Sequence, residues 1–103
     1  MEVTISALHG TFPDSLAEHA ERLARRLDRY PLKAASLSIY FEKVSGIRTA
    51  EARLSRAGGP PLIAHGSGPT YRNALNQAID RVERQIKRSR DRRRQSRRTV
   101  AAR

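Results

Sequence analysis

Polar and apolar residues alternate from the start of the chain. Val3, Ile5 and Ala7 fall on one face, and Glu2, Thr4 and Ser6 on the other. A period of two predicts a strand over 2–8 with one buried face. From Asp14 to about Tyr30 the period changes. Leu16, Ala20, Leu23, Leu27 and Tyr30 recur at steps of four and three, the spacing of a helix with one inward stripe. Thr11 or Asp14 is placed to accept N–H groups at its start, Pro13 suits a first turn, and Pro31 stops it. Alternation returns over 35–44, where Leu37, Ile39 and Phe41 oppose Ser36, Ser38, Tyr40 and Glu42. After a Ser45-Gly46 turn it resumes over 48–56, with Ala50, Ala52 and Leu54 on the apolar side. No strand crosses Gly58-Gly59-Pro60-Pro61. Leu62 to His65 reads as a short fourth strand. Gly66-Ser67-Gly68-Pro69 then leads to a second helix, from about Thr70 to Arg90, capped by Ser67 or Thr70. Leu75, Ile79, Val82 and Ile86 form its stripe.

The order β-α-β-β-β-α predicts an α+β fold, a four-stranded mixed sheet with two helices packed on one face. The opening β-α-β unit calls for a parallel strand pair and a right-handed crossover, and the later strands for an antiparallel meander. Residues 1–88 make one domain. Residues 89–103 are basic with almost nothing to bury, and are expected to be a flexible tail that could extend the helix when bound.

Charge sharpens this picture. The 103 residues carry a net +11, with eighteen Arg against three Lys. Residues 81–103 hold eleven basic residues against Glu83 and Asp91, or +9; residues 1–80 hold ten against eight, or +2. A nearly neutral domain thus ends in a cationic segment. Arginine offers a planar fork that matches phosphate.

The arginines are also ordered. Arg22, Arg25 and Arg29 share the spacing i, i+3, i+7 with Arg81, Arg84 and Arg88, and Arg26 lies beside the first row. At about 100° per residue each set falls within roughly 60° on its helix, away from the apolar stripe. Glu21 and Asp28, and Asp80 and Glu83, sit to one side. Two matched basic rows fit one polyphosphate surface. Arg90, Arg92, Arg93, Arg94, Arg97, Arg98 and Arg103 can follow a phosphate path and gain by counterion release, which gives affinity but not sequence choice.

Other chemistries find little support. The absence of cysteine excludes disulfides and thiolate metal sites. His9, His19 and His65 lack metal-ligand spacing, and no nucleophile elbow or carboxylate pair suggests catalysis. No cofactor, metal or small-molecule substrate is expected. Gly66-Ser67-Gly68 is more simply a turn than a phosphate cradle. Tyr40 lies on the polar face of its strand, where it could stack on a base. Nothing resembles a signal peptide or membrane span, so a cytoplasmic protein is expected.

Several stretches together resemble the ribosome hibernation promoting factor family, also called the ribosome-associated inhibitor or sigma-54 modulation family. They are Val3-Thr4-Ile5-Ser6-Ala7, Asp14-Ser15-Leu16, Leu27-Asp28-Arg29-Tyr30, Phe41-Glu42-Lys43-Val44, Ala50-Glu51-Ala52-Arg53-Leu54, Gly58-Gly59 and Asp80-Arg81-Val82-Glu83-Arg84-Gln85-Ile86-Lys87-Arg88. The last is the most specific. Leu23 stands where the family often has Lys, Pro60-Pro61 lengthens a turn, and Tyr71 meets the family's aromatic position only with one inserted residue; otherwise Arg72 takes it.

The resemblance implies the same β-α-β-β-β-α fold. It also implies a non-enzymatic translation inhibitor that binds 16S-type rRNA of the small ribosomal subunit. Such a protein blocks the mRNA and tRNA decoding channel during stasis or stress. By position Arg22, Arg26, Arg29, Arg81, Arg84, Lys87 and Arg88 match basic family positions, and Arg25, Arg92, Arg93 and Arg94 join them from the charge pattern. Long members have a separate dimerisation domain after the second helix; this chain reads as a short form, a monomer off the ribosome. The alternative is a general nucleic-acid-binding or transcription-linked regulator, as the sigma-54 name suggests.

Overall fold

The computed structural model describes residues 1–8, 11–31 and 34–101, with side chains described through Ser89. Its elements are β1 (Glu2–Ala7), α1 (Asp14–Leu27), β2 (Ala34–Val44), β3 (Ile47–Arg56), β4 (Leu62–Gly68) and α2 (Tyr71–Ala101). The sheet order is β1-β2-β3-β4, with β1 parallel to β2 and the other neighbours antiparallel. The expected β-α-β-β-β-α mixed sheet with two helices is therefore the observed fold. Because β1, β2 and β4 point the same way, α1 and α2 both return in the opposite sense. Their N-termini share one end of the sheet with the β2–β3 turn.

The core is what the two periodicities placed inward. Leu37, Ile39 and Phe41 of β2 and Ala50, Ala52 and Leu54 of β3 meet Leu16, Ala20, Leu23 and Leu27 of α1 and Leu75, Ile79, Val82 and Ile86 of α2. Val3, Ile5 and Ala7 pack against this core but stay half-exposed, because β1 is an edge strand with a neighbour on one side only. Small residues line the bed of α2: Ala50, Ala52, Ala64 and Gly66. At Gly66 the fit allows nothing larger than hydrogen. A Cβ there would overlap the Ala74 carbonyl oxygen and approach Ala78 N to 2.8 Å.

The boundaries depart from the sequence expectation in four places. Neither Thr11 nor Asp14 caps α1; Pro13 is the N-cap, and its carbonyl accepts Leu16 N–H at 2.9 Å. The helix closes at Leu27 and not near Tyr30, so Arg29 lies just past its last turn. β4 runs on through Gly66-Ser67-Gly68, which is strand and neither turn nor phosphate loop. At α2 the expectation holds: of the two candidates Thr70 is the cap, its Oγ1 accepting Asn73 N–H at 3.1 Å.

α2 then continues to Ala101, past the expected end near Arg90. No Gly or Pro follows Pro69 to stop it, and Arg, Gln and Ala are good helix formers. The β2–β3 hairpin closes in two residues, Ser45 and Gly46, both at positive φ (50° and 81°) between the paired Val44 and Ile47. That backbone matches the twist of the flanking strands.

Candidate nucleic-acid interface

The two helices meet along a polar seam. His19 Nε2 and Asn76 Oδ1 share a hydrogen bond at 2.6 Å. One to two turns further along, Arg26 Nη2 donates to Asp80 Oδ1 at 2.9 Å, and its Nε lies 3.3 Å from Glu83 Oε2. The second contact is ionic but not aligned as a hydrogen bond. Lys87 Nζ reaches the other Glu83 oxygen at 3.8 Å. Arg26 and Lys87, both expected to face RNA, are therefore engaged with carboxylates. Helix periodicity explains why: His19 and Arg26 are seven residues apart and face the same neighbour, as do Asn76, Asp80, Glu83 and Lys87 from the other side.

Half-exposed pairs of this kind couple weakly. A double-mutant cycle on Arg26→Gln and Asp80→Asn, read by urea unfolding, should give a coupling of about 0.5–1 kcal/mol. A coupling indistinguishable from zero would remove any stabilising role for the seam.

On its other flank α2 lies over the edge strand β4. Arg81 Nη1 donates to His65 O at 2.6 Å, Gln85 Nε2 donates to Ile63 O at 2.8 Å, and Ser67 N–H donates to Gln77 Oε1 at 2.9 Å. Residues 77, 81 and 85 stand one helical turn apart and reach alternate residues of the strand. This comb satisfies outward backbone groups that would otherwise invite another strand to pair. It also turns Arg81 toward the sheet edge. Arg81, Arg84 and Arg88 line a groove there with His65 and Gln85.

The basic rows thus both belong to the helical layer but do not merge: the α2 row borders the edge strand β4, beyond the seam from α1. Arg22, Arg25 and Arg29 are exposed on α1 or just past it, and Arg84 and Arg88 on α2. Among the described residues Arg22, Arg25, Arg84 and Arg88 have no carboxylate partner within ion-pair distance. Arg29 Nε donates to Arg26 O at 3.2 Å, holding it against the end of α1. Asp80 and Glu83 separate the rows. Glu18, one turn before Arg22, places a carboxylate in the α1 row itself, which the flanking positions of Glu21 and Asp28 had not suggested. The side chains of Arg92, Arg93 and Arg94 lie outside the described residues, although α2 carries their backbone.

One held arginine escaped the helical pattern because it comes from a strand. Arg48 Nη1 donates to Pro69 O at 3.0 Å, and its guanidinium sits over the Tyr71 ring, 5.7 Å from the centroid. Tyr71 packs on Phe41 at 5.1 Å, so it belongs to the margin of the core. Among the described residues no three His, Cys, Asp or Glu side chains are grouped to hold a metal ion. No helix described is long and apolar enough to cross a membrane.

A small basic α+β domain with arginine rows on its helical layer is the class these features define. The chain belongs to the Sigma 54 modulation protein / S30EA ribosomal protein family, whose model matches residues 3–94. This family associates with the ribosome and is non-enzymatic.

Two solved structures share the fold. A ribosomal subunit interface protein from Coxiella burnetii superposes with a TM-score of 0.76 at 14% identity, covering 88% of this chain and 99% of that one. The N-terminal domain of Protein Y from Thermus thermophilus gives 0.75 at 22% identity, covering 85% and 98%. No curated protein matches the chain significantly in sequence.

Proposed function

We propose that this protein is a translation inhibitor of the cytoplasm that docks on 16S-type rRNA of the small subunit and fills the mRNA and tRNA decoding channel. The observation that carries this reading is the set of exposed arginines on the helical layer that have no carboxylate partner among the described residues, Arg22 and Arg25 on α1 and Arg84 and Arg88 on α2. Guanidinium groups there would bind phosphate oxygens and release counterions, so attachment would be tight at low salt and reversible. Inhibition would be steric: the domain displaces mRNA and tRNA and performs no chemistry. The cationic stretch 89–103 would prolong the α2 row along a phosphate path. Similarity to a protein named for the ribosomal subunit interface supports the location.

The test is sedimentation with purified small subunits, with tRNA and mRNA as competitors. Co-migration at low salt that falls steeply with added salt, and mutual exclusion with tRNA, is the expected result. Absence of co-migration at low salt would end the proposal. Phosphate contacts alone carry no sequence information. Equal affinity for random duplex DNA and for subunits would therefore favour the alternative, a general nucleic-acid-binding or transcription-linked regulator.

A further inference from the structure

The helices cover one face of the sheet and leave the other bare. Alternation assigns that bare face to the even-numbered residues of β1 and β2 and the odd-numbered residues of β3 and β4. Strand register turns it into rows: Ser6, Tyr40, Glu51 and His65 lie side by side, and Thr4, Ser38, Arg53 and Ile63 form the next row. Leu8 N–H donates to Phe41 O at 2.9 Å, which carries β1 pairing one residue further and sets Leu8 beside Glu42. Val44 pairs with Ile47 at the hairpin end of the same face.

Four of the five large hydrophobics that are exposed among the described residues therefore sit together: Leu8 (63% exposed), Tyr40 (48%), Val44 (49%) and Ile47 (54%). Single exposed hydrophobics are ordinary, but a grouped set on a sheet face marks an interaction surface.

The charge of this surface is opposite to that of the molecule. The ionised groups among the four hydrophobics are carboxylates, Glu42 and Glu51, while Lys43 and Arg48 alternate onto the other face and Arg53 lies one row away. His65 is the neighbouring base, 3.4 Å from Glu51. A chain of net +11 thus keeps one acidic, apolar patch. Phosphate would be repelled there. A guanidinium would find carboxylates together with an exposed aromatic ring, the two chemistries that hold arginine best outside a phosphate site.

We propose that the bare sheet face, at Leu8, Tyr40, Val44 and Ile47 with Glu42 and Glu51, docks an arginine-rich protein segment that also carries apolar side chains. The helical layer would face RNA while the sheet receives protein. The surface stands on its own geometry and charge. Its use on a ribosome rests on the function proposed above.

The test uses the full chain, labelled for NMR, and two probes: a synthetic decapeptide of alternating Arg and Leu, and a single-stranded oligoribonucleotide. The peptide should shift resonances of Leu8, Tyr40, Ile47 and Glu51, and the oligonucleotide those of Arg22, Arg25, Arg84 and Arg88. The double variant Glu42→Lys and Glu51→Lys, at one exposed and one half-buried position, should weaken the peptide at least tenfold and leave the oligonucleotide shifts in place. Peptide shifts elsewhere or none, or oligonucleotide shifts centred on Tyr40, would overturn the proposal. Because the titration needs no ribosome, its failure discards this surface alone, and failed co-sedimentation discards the ribosome reading alone.

Discussion

Replacing Gly66 with alanine should lower the thermal unfolding midpoint by roughly 12–24 °C, the equivalent of about 3 kcal/mol in a domain of this size. Gly66 lies in β4 where α2 crosses it, and an added Cβ would overlap the Ala74 carbonyl oxygen and come 2.8 Å from Ala78 N. Both obstacles are backbone, so neither can rotate aside. Relief requires moving a helix whose Ala74, Leu75, Ala78 and Ile79 are fully buried. Overpacking typically costs 1–3 kcal/mol even where side chains can adjust, which sets about 3 kcal/mol as the expectation here. Gly59→Ala is the control. Its Cβ would meet the end of the flexible Arg56 side chain, at 3.2 Å, which can move aside for the loss of one exposed hydrogen bond to Pro60 O. A Gly66→Ala protein that melts with wild type would mean that α2 is not seated as tightly on β4 as described.

The double reversal Arg84→Glu and Arg88→Glu should weaken binding to small subunits by about a hundredfold or more and leave stability within about 0.5 kcal/mol. Each side chain is exposed, lies off the apolar stripe, and has no carboxylate partner among the described residues. A hydrogen bond to a charged group is worth roughly 1.5–3 kcal/mol, so two lost phosphate contacts amount to at least about two powers of ten in affinity. The salt dependence supplies a second reading. Losing two contacts should flatten the slope of log affinity against log salt by about 1.4–1.8. Arg81 is unsuited to this experiment, since it also holds the His65 carbonyl and its loss would disturb β4. Unchanged affinity with Arg84 and Arg88 reversed would remove α2 from the interface.

The fold was legible in the sequence because it rests on local rules. A period of two over 2–8, 35–44 and 48–56 and a period near 3.6 over the helices fix which side of each element is apolar. The β-α-β-β-β-α order then leaves few ways to close a sheet. Where the structure departs, the causes differ: one lies in another layer of the fold and one is local. Gly66 and Gly68 read as a turn because glycine usually signals one, yet Gly66 is small for the sake of a helix that approaches it from another layer. The apolar stripe of α2 stops at Ile86 and predicts an end near Arg90, but a helix without a breaker continues through good helix formers to Ala101.

The candidate interface divides in the same way. Sequence alone determined that arginines occupy the outer side of both helices, because that follows from residue spacing and helical pitch within one element. It could not determine which of those arginines remain available. Arg26 meets Asp80 and Glu83, and Arg81 meets the His65 carbonyl, across 54, 57 and 16 positions of chain. Such contacts depend on how one element lies beside another. Packing of the buried stripes sets that relation, and the pattern along a single element does not encode it.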